Sequence, residues 1–283
     1  MLFNRNSLLS SAYMLVSHGS RDVRTRWAVE KLAERVYVLL ASQSIQAIGV
    51  VEYRESNSSF FLSDSLTSIA TTASMVLTNM GCPLVETGTL ELASLPLHQQ
   101  IQRFAAEALQ AGYKQVKVLP LFLLPGIHVT EDIYAEIEQA RAVVGNAIAI
   151  EQLSYLGSND DLTQLWASRL RGEADAKILF SHGTKRGRGN ERVEQTAETL
   201  RAMTAYLSMP PCLEEKLEIL IMSERRNIII QPYLLFEGRI MEEMELEVMR
   251  LQTKFPQLQL SLGKPLGATA ELATLIVEGM LAP

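Results

Sequence analysis

The chain has 283 residues, 47% hydrophobic and 20% charged, enough for one large domain or two ordinary ones around sizeable cores. A net charge of −6 gives no global attraction for nucleic acid or an anionic membrane, and no run of about 18 apolar residues is present to span one. Two cysteines, Cys82 and Cys212, lack metal-ligand spacing and make no disulfide framework, so the expected compartment is the reducing cytoplasm. The first sixteen residues do not read as a signal peptide, because serines break the apolar run, which flows into the first predicted strand.

In chain order, β-rich runs at 13–17, 45–51, 84–90, 115–119, 146–151, 177–181, 227–231 and 257–261 predict strands. Helical patterns fall at 22–42, 64–80, 96–111, 129–142, 160–171, 190–207, 240–253 and 268–281. Such alternation predicts parallel sheets flanked by helices, with ligands bound beyond the carboxyl ends of the strands. The chain also repeats itself. "LVSHGSRD" is echoed by "LFSHGTKR" at an offset of 164, and "PLFLLPGIHVTEDI" by "PYLLFEGRIMEEME" at an offset of 112. The difference places about fifty extra residues in the first half, within 41–82, where "YRESNSSFFLSDS" reads as loop or insertion. Two similar α/β domains follow, 1–173 and 174–283.

Three of the four histidines stand at strand-to-helix junctions. His18 lies in Ser17-His18-Gly19-Ser20, His182 in its echo, and His128 after the apolar loop with Pro125 and Gly126. Glycine after the histidine permits a tight turn, and the helix that follows offers unpaired N–H groups. Read alone, "SHGS" suits a fold-determining turn as well as a catalytic one. His18 and His128, at junctions of one sheet, can face each other across its rim. Glu91, just past the third predicted strand, can join them, or serve only as a surface carboxylate. Glu131 and Asp132 read as caps in the first turn of a helix, and His98, inside a helical pattern, has no assigned role. Lys185, Arg186 and Arg188 stand among glycines and offer either an anion site or a solvated loop.

At His18, Glu91 and His128 together, the chain resembles the sirohydrochlorin chelatases, a cobalto- and ferrochelatase family that inserts a divalent metal into a vitamin B12 or siroheme precursor. The matching strings are "LVSHGSRD", "TLELASLPLHQQIQRFAAEAL" and "VKVLPLFLLPGIHVTEDI", with the echoes "ILFSHGTKRG" and "IIIQPYLLFEGR" matching the longer, two-domain form. The resemblance covers most of the chain outside 43–82. It implies two chelatase-like α/β domains, each a parallel sheet flanked by helices, with a tetrapyrrole between them. It implies metal-binding histidines at His18 and His128, an acidic partner at Glu91, and no prosthetic group. In the second half Ile240 stands where His128 has its echo, so one working site is expected in 1–173, closed by a degenerate 174–283.

The chemistry fits these residues. Imidazoles suit iron, cobalt and nickel, and a carboxylate broadens the set. His18 and His128 are assigned jointly to metal delivery and proton removal, with Fe2+ favoured over Co2+ and Ni2+ as metal substrate. The tetrapyrrole, sirohydrochlorin, is a polycarboxylate. Its expected contacts are Ser17, Gly19, Ser20, Arg21, Gly126, Lys185 and Arg186, with Arg24 and Arg188 as further cations, in a monomer or homodimer. Two other functions compete: a non-catalytic metal or tetrapyrrole carrier, and a histidine-phosphatase-like enzyme, which the serine at position 17 disfavours because it removes the arginine phosphate clamp.

Overall fold

The computed structural model describes residues 10–47, 82–126 and 128–281. The predicted helix 64–80, most of the predicted strand 45–51 and most of the expected insertion lie outside the described residues.

The first half begins with β1 (Ser11–Ser17). Its alternating side chains are buried on both faces: Tyr13 and Leu15 on one, Ala12, Met14 and Val16 on the other. Next come α1 (Val23–Ala47), β2 (Val85–Thr89), α2 (Leu97–Gln110) and β3 (Gln115–Pro120). One π-helical turn, His128–Asp132, leads into α3 (Ile133–Val144), and β4 (Ala149–Gln152) completes a parallel sheet of order β2-β1-β3-β4. Helix α2 buries Leu97, Ile101, Phe104, Ala105 and Ala108, a three-and-four spacing that turns one stripe to the sheet.

A 3₁₀ turn at Leu156–Ser158 and α4 (Leu162–Arg169) connect to the second half. There β5 (Ala176–Ser181), α5 (Glu191–Thr199), β6 (Met203–Tyr206), α6 (Leu213–Met222) and β7 (Asn227–Pro232) precede α7 (Arg239–Lys254), β8 (Gln259–Leu262) and α8 (Ala270–Leu281). The sheet is again parallel, in the order β6-β5-β7-β8, so the repeat seen in sequence is a repeat of topology. The molecule is two similar α/β domains, each a parallel sheet flanked by helices.

The halves share a core. Outer clusters fill one face of each sheet, while a third cluster joins Tyr13 and Leu15 of the first sheet to Leu179, Tyr206 and Tyr233 of the second. Trp166 of α4, wholly buried, stacks on Tyr233 with ring centroids 4.8 Å apart. Helix α8 in turn packs against α1. The last helix of each half therefore crosses to the other, and apolar contact of this kind fixes how the two sheet ends face one another.

Several expectations need correction. Residues 45–47 finish α1 rather than begin a strand. The predicted helix 190–207 ends at Thr199, and β6 occupies 203–206. Helix α6, which the sequence reading missed, starts at Leu213. Its first turn is closed by a capping box in which Glu215 Oε2 accepts from the Cys212 N–H at 2.8 Å.

Candidate metal centre

In a sheet of order β2-β1-β3-β4, the chain leaves β1 toward one neighbour and returns on its other side, which opens a crevice at the carboxyl end of β1. Strand register brings three segments to it: Ser17 lies opposite Thr89 on β2, and Val16 opposite Pro120 on β3. The residues just beyond these strand ends are His18, Glu91 and the loop to His128.

Backbone bonds fix the first two. Leu90 N–H donates to the Ser17 carbonyl (3.0 Å) and Glu91 N–H to the His18 carbonyl (2.9 Å). Gly19 makes this strap fit. Its φ is +99°, and a Cβ there would lie 2.1 Å from the Glu91 carbonyl oxygen. The strap holds His18 Nδ1 3.9 Å from Glu91 Oε2.

The third side chain, His128, is placed by the apolar loop. Leu121 N–H donates to the Val16 carbonyl (2.7 Å) and Gly157 N–H to the Phe122 carbonyl (2.8 Å). Val129 N–H donates to the Gly126 carbonyl (3.0 Å), winding the turn that presents His128. Asp132 Oδ2 lies 2.7 Å from His128 Nδ1 and makes no side-chain cap, so its role differs from the one expected. The carboxylate accepts the Nδ1–H and leaves the Nε2 lone pair toward His18. The sequence signal for this pair was the His-x-x-x-Asp spacing, which sets both side chains on one side of a helical turn.

The result is a compact donor set. His18 Nε2 and His128 Nε2 are 3.2 Å apart, with rings edge to face and centroids 4.6 Å apart. One ligand atom from each of His18, Glu91 and His128 lies within 4.8 Å of the others. Two nitrogens at this separation subtend about 100° at a metal ~2.1 Å from each, a normal angle for adjacent ligands. Two imidazoles and a carboxylate suit first-row divalent ions and leave coordination positions open. All three side chains are part-exposed, so an ion can arrive and leave.

The second half builds the same scaffold with a histidine at the first position alone. Leu207 N–H donates to the Ser181 carbonyl (2.9 Å) and Ser208 N–H to that of His182 (3.0 Å), matching the strap of the first half. Gly183 has a φ of +82° in the place of Gly19. Ser208 thus stands where Glu91 stands, and Ile240 holds the place of His128. Among the described residues, the cluster of three metal-type side chains occurs in the first half alone.

Between the two strand-end rims lies a cavity of about 850 Å³. His18, Phe122 and His128 line it from the first half, His182, Arg186 and Ile240 from the second. Of the expected contacts, Gly126 and Arg186 are in this lining, while Ser17, Gly19, Ser20, Arg21 and Lys185 lie outside it among the described residues. Ser17 and Gly19 build the strap, and Ser20 Oγ accepts from the Asp22 N–H at 3.0 Å. Arg24 is tied to Asp22 (2.6 Å) and to Glu242 (2.5 Å), so it bridges α1 to α7 rather than standing ready for a ligand. The Arg24 guanidinium holds the Asp22 carboxyl down at about 2. Arg188 also lines the cavity but pairs with Glu191 (2.6 Å). Arg186 makes no ion pair among the described residues. His98 is engaged elsewhere, with Nδ1 2.9 Å from Glu136 Oε2 between α2 and α3.

Two parallel-sheet domains that face a shared cavity, one carrying a histidine–carboxylate donor set at its topological switch point, define a metal-handling α/β protein of the chelatase type. The CbiX family model matches residues 62–173 and again 176–281, once in each half, and the chain belongs to this family of sirohydrochlorin chelatases. The sirohydrochlorin ferrochelatase of Priestia megaterium is 24% identical over 195 residues, covering 63% of this chain and 71% of that protein. Among solved structures, SirB from Bacillus subtilis with Fe3+ superposes with a TM-score of 0.67 at 18% identity, covering 96% of each chain. The sirohydrochlorin chelatase SirB from Bacillus subtilis subspecies spizizenii, in complex with cobalt, gives 0.61 at 20% identity, covering 94% of this chain and 92% of that one. These likenesses establish the fold.

Proposed function

We propose that the chain is a sirohydrochlorin chelatase that inserts a divalent metal, Fe2+ in preference to Co2+, into a polycarboxylate tetrapyrrole on the way to siroheme or cobalamin. The observation that carries this reading is the meeting of His18 and His128 at 3.2 Å, with Glu91 beside them, on the wall of a cavity large enough for a macrocycle. The names of the ferrochelatase relatives support iron.

In this reading His18, Glu91 and His128 hold the incoming ion as substrate, and the remaining positions carry water. Asp132 keeps the His128 lone pair aimed at the ion. The macrocycle lies against the apolar loop at Phe122 and Leu124, its carboxylates facing Arg186. A charge-assisted contact of that kind contributes about 1.5–3 kcal/mol. Ring nitrogens displace the waters, two pyrrole protons leave, and the ion passes from protein to ring. Exposed, three-donor coordination favours that release. Neither Cys82 nor Cys212 is in a disulfide, which supports a cytoplasmic setting. Among the described residues, no helix is long and apolar enough to cross a membrane.

The test is spectrophotometric. Purified protein is incubated with sirohydrochlorin and Fe2+, Co2+ or Ni2+, and the shift of the absorption bands is followed against a protein-free control. Multiple turnovers, fastest with Fe2+, support the proposal. Stoichiometric binding without turnover assigns a carrier instead.

A further inference from the structure

We infer that His182, the histidine of the degenerate half, is the proton acceptor of metal insertion. It takes the pyrrole protons from across the cavity while the first half holds the ion. This rests on the chelatase reading above.

Metal insertion releases two protons for each ion taken up, and each needs a lone pair to receive it. A neutral imidazole has one such lone pair. His128 donates Nδ1–H to Asp132 and turns Nε2 to the ion; His18 turns Nε2 to the same point. While they hold a cation, neither has a lone pair to spare. His98 is engaged with Glu136 on the α2–α3 face, away from the cavity. Of the chain's four histidines, His182 is the one left, and it lines the same cavity as His18 and His128.

Its geometry suits a base and not a metal ligand. His182 Nδ1 lies 3.0 Å from the Gly183 carbonyl oxygen. A carbonyl only accepts, so Nδ1 carries the hydrogen and Nε2 carries the lone pair. The neighbours that would make a chelating site are replaced: Ser208 stands at the carboxylate position and gives its hydroxyl to the His182 carbonyl (2.8 Å), and Ile240 stands at the second-imidazole position. With serine and isoleucine at two of the three positions, a lone imidazole is left on the wall opposite the ion. Arg186, two residues beyond Thr184 on the same loop, anchors the carboxylate rim on that side.

The step balances. The pyrrole N–H bond breaks and its proton passes to His182 Nε2, giving imidazolium. The nitrogen pair that held the proton forms the bond to the ion. His182 is exposed and returns the proton to water before the second transfer. General-base assistance of this kind is typically worth about 10²–10⁴-fold in rate.

The experiment compares the parent chain with His182→Ala and His182→Gln, using sirohydrochlorin and Co2+ with initial rates from the absorption change. Co2+ affinity is measured separately without tetrapyrrole. Both variants are expected to keep Co2+ affinity and the KM for sirohydrochlorin, and to lose about 10²–10⁴-fold in kcat. Free imidazole is expected to restore much of the rate to His182→Ala. A kcat equal to the parent, or a loss carried by KM and unmoved by imidazole, overturns the role of His182 alone. No metallation by the parent chain overturns the chelatase reading and this inference with it. Since His182 is exposed, both variants are expected to melt with the parent, and a lowered melting temperature together with lost kcat and no imidazole rescue counts against the proposal.

Discussion

His18 and His128, 110 residues apart in the chain, meet Nε2 to Nε2 at 3.2 Å. Each is carried by the loop leaving a different strand, and those strands, β1 and β3, are neighbours with Val16 opposite Pro120. The contact is thus a consequence of sheet register: a slip of β3 by one residue would exchange the side chains on its two buried faces and carry His128 away from His18.

Asp132 sets the aim of His128. Asp132→Asn removes the charge that holds Nδ1–H, and Asp132→Ala removes the acceptor. Co2+ affinity, read by titration of the ligand-field spectrum, is expected to fall about 10–100-fold in Asp132→Ala and less in Asp132→Asn. An unchanged affinity in both would show that His128 is aimed by packing alone.

Gly19 is the point at which a single methyl group would open the site. Its backbone conformation is unfavourable for other residues, and an added Cβ would strike the Glu91 carbonyl at 2.1 Å. Gly19→Ala is expected to destabilise the chain by about 1–3 kcal/mol in denaturant unfolding and to weaken Co2+ binding with it. Gly126 has open space around its Cβ position, so Gly126→Ala serves as the control that leaves folding stability near that of the parent.

Much of this site was legible in the sequence, for an identifiable reason. His18 and His128 follow β1 and β3, whose apolar runs are plain, Glu91 follows the more polar Val-Glu-Thr-Gly-Thr strand, and the rim of a parallel sheet gathers whatever stands there. Asp132 reads as a cap because carboxylates are common in a first helical turn; the His-x-x-x-Asp spacing allows the pair, but nothing local says that the turn is π-helical. Arg24 looked available beside "SHGS", yet Glu242, 218 residues away, claims it, and such pairing follows from the docking of α1 on α7. Strand β6 was lost in a helical pattern because it is only four residues long and follows α5 after three residues, Leu200 to Ala202. Its pairing with β5 comes from the repeat of the first sheet rather than from its own propensity.

The second half retains the strap and lacks two ligands, so it is expected to accept them back. Ser208→Glu combined with Ile240→His places a carboxylate and an imidazole at the positions matching Glu91 and His128. Bound Co2+ is expected to rise from one to two ions per chain by equilibrium dialysis. A stoichiometry that stays at one would mean that the loop after β7 does not follow the path of the loop after β3.

Alkali is expected to weaken the fold through Tyr206. Burial, with the Glu194 carboxylate accepting its hydroxyl at 3.0 Å, pushes the phenol up to about 12. The folded chain therefore keeps a proton that the unfolded chain, with an ordinary value near ~10, gives up first. The stabilisation is complete below pH ~10 and is lost as pH rises toward about 12, at most about 2–3 kcal/mol. Denaturant unfolding between these limits is expected to show a shallower decline in Tyr206→Phe than in the parent. Parallel declines would place the alkaline sensitivity in the other buried tyrosines.

The most direct test of the account asks whether two imidazoles share one ion. Co2+ is titrated into the parent, His18→Ala, His128→Ala and Glu91→Gln, and the ligand-field spectrum and the affinity are recorded. The predicted result is one ion per parent chain, near-complete loss of binding in either histidine variant, and a weaker, spectrally shifted site in Glu91→Gln. Full-strength binding with an unaltered spectrum after removal of either His18 or His128 would contradict it.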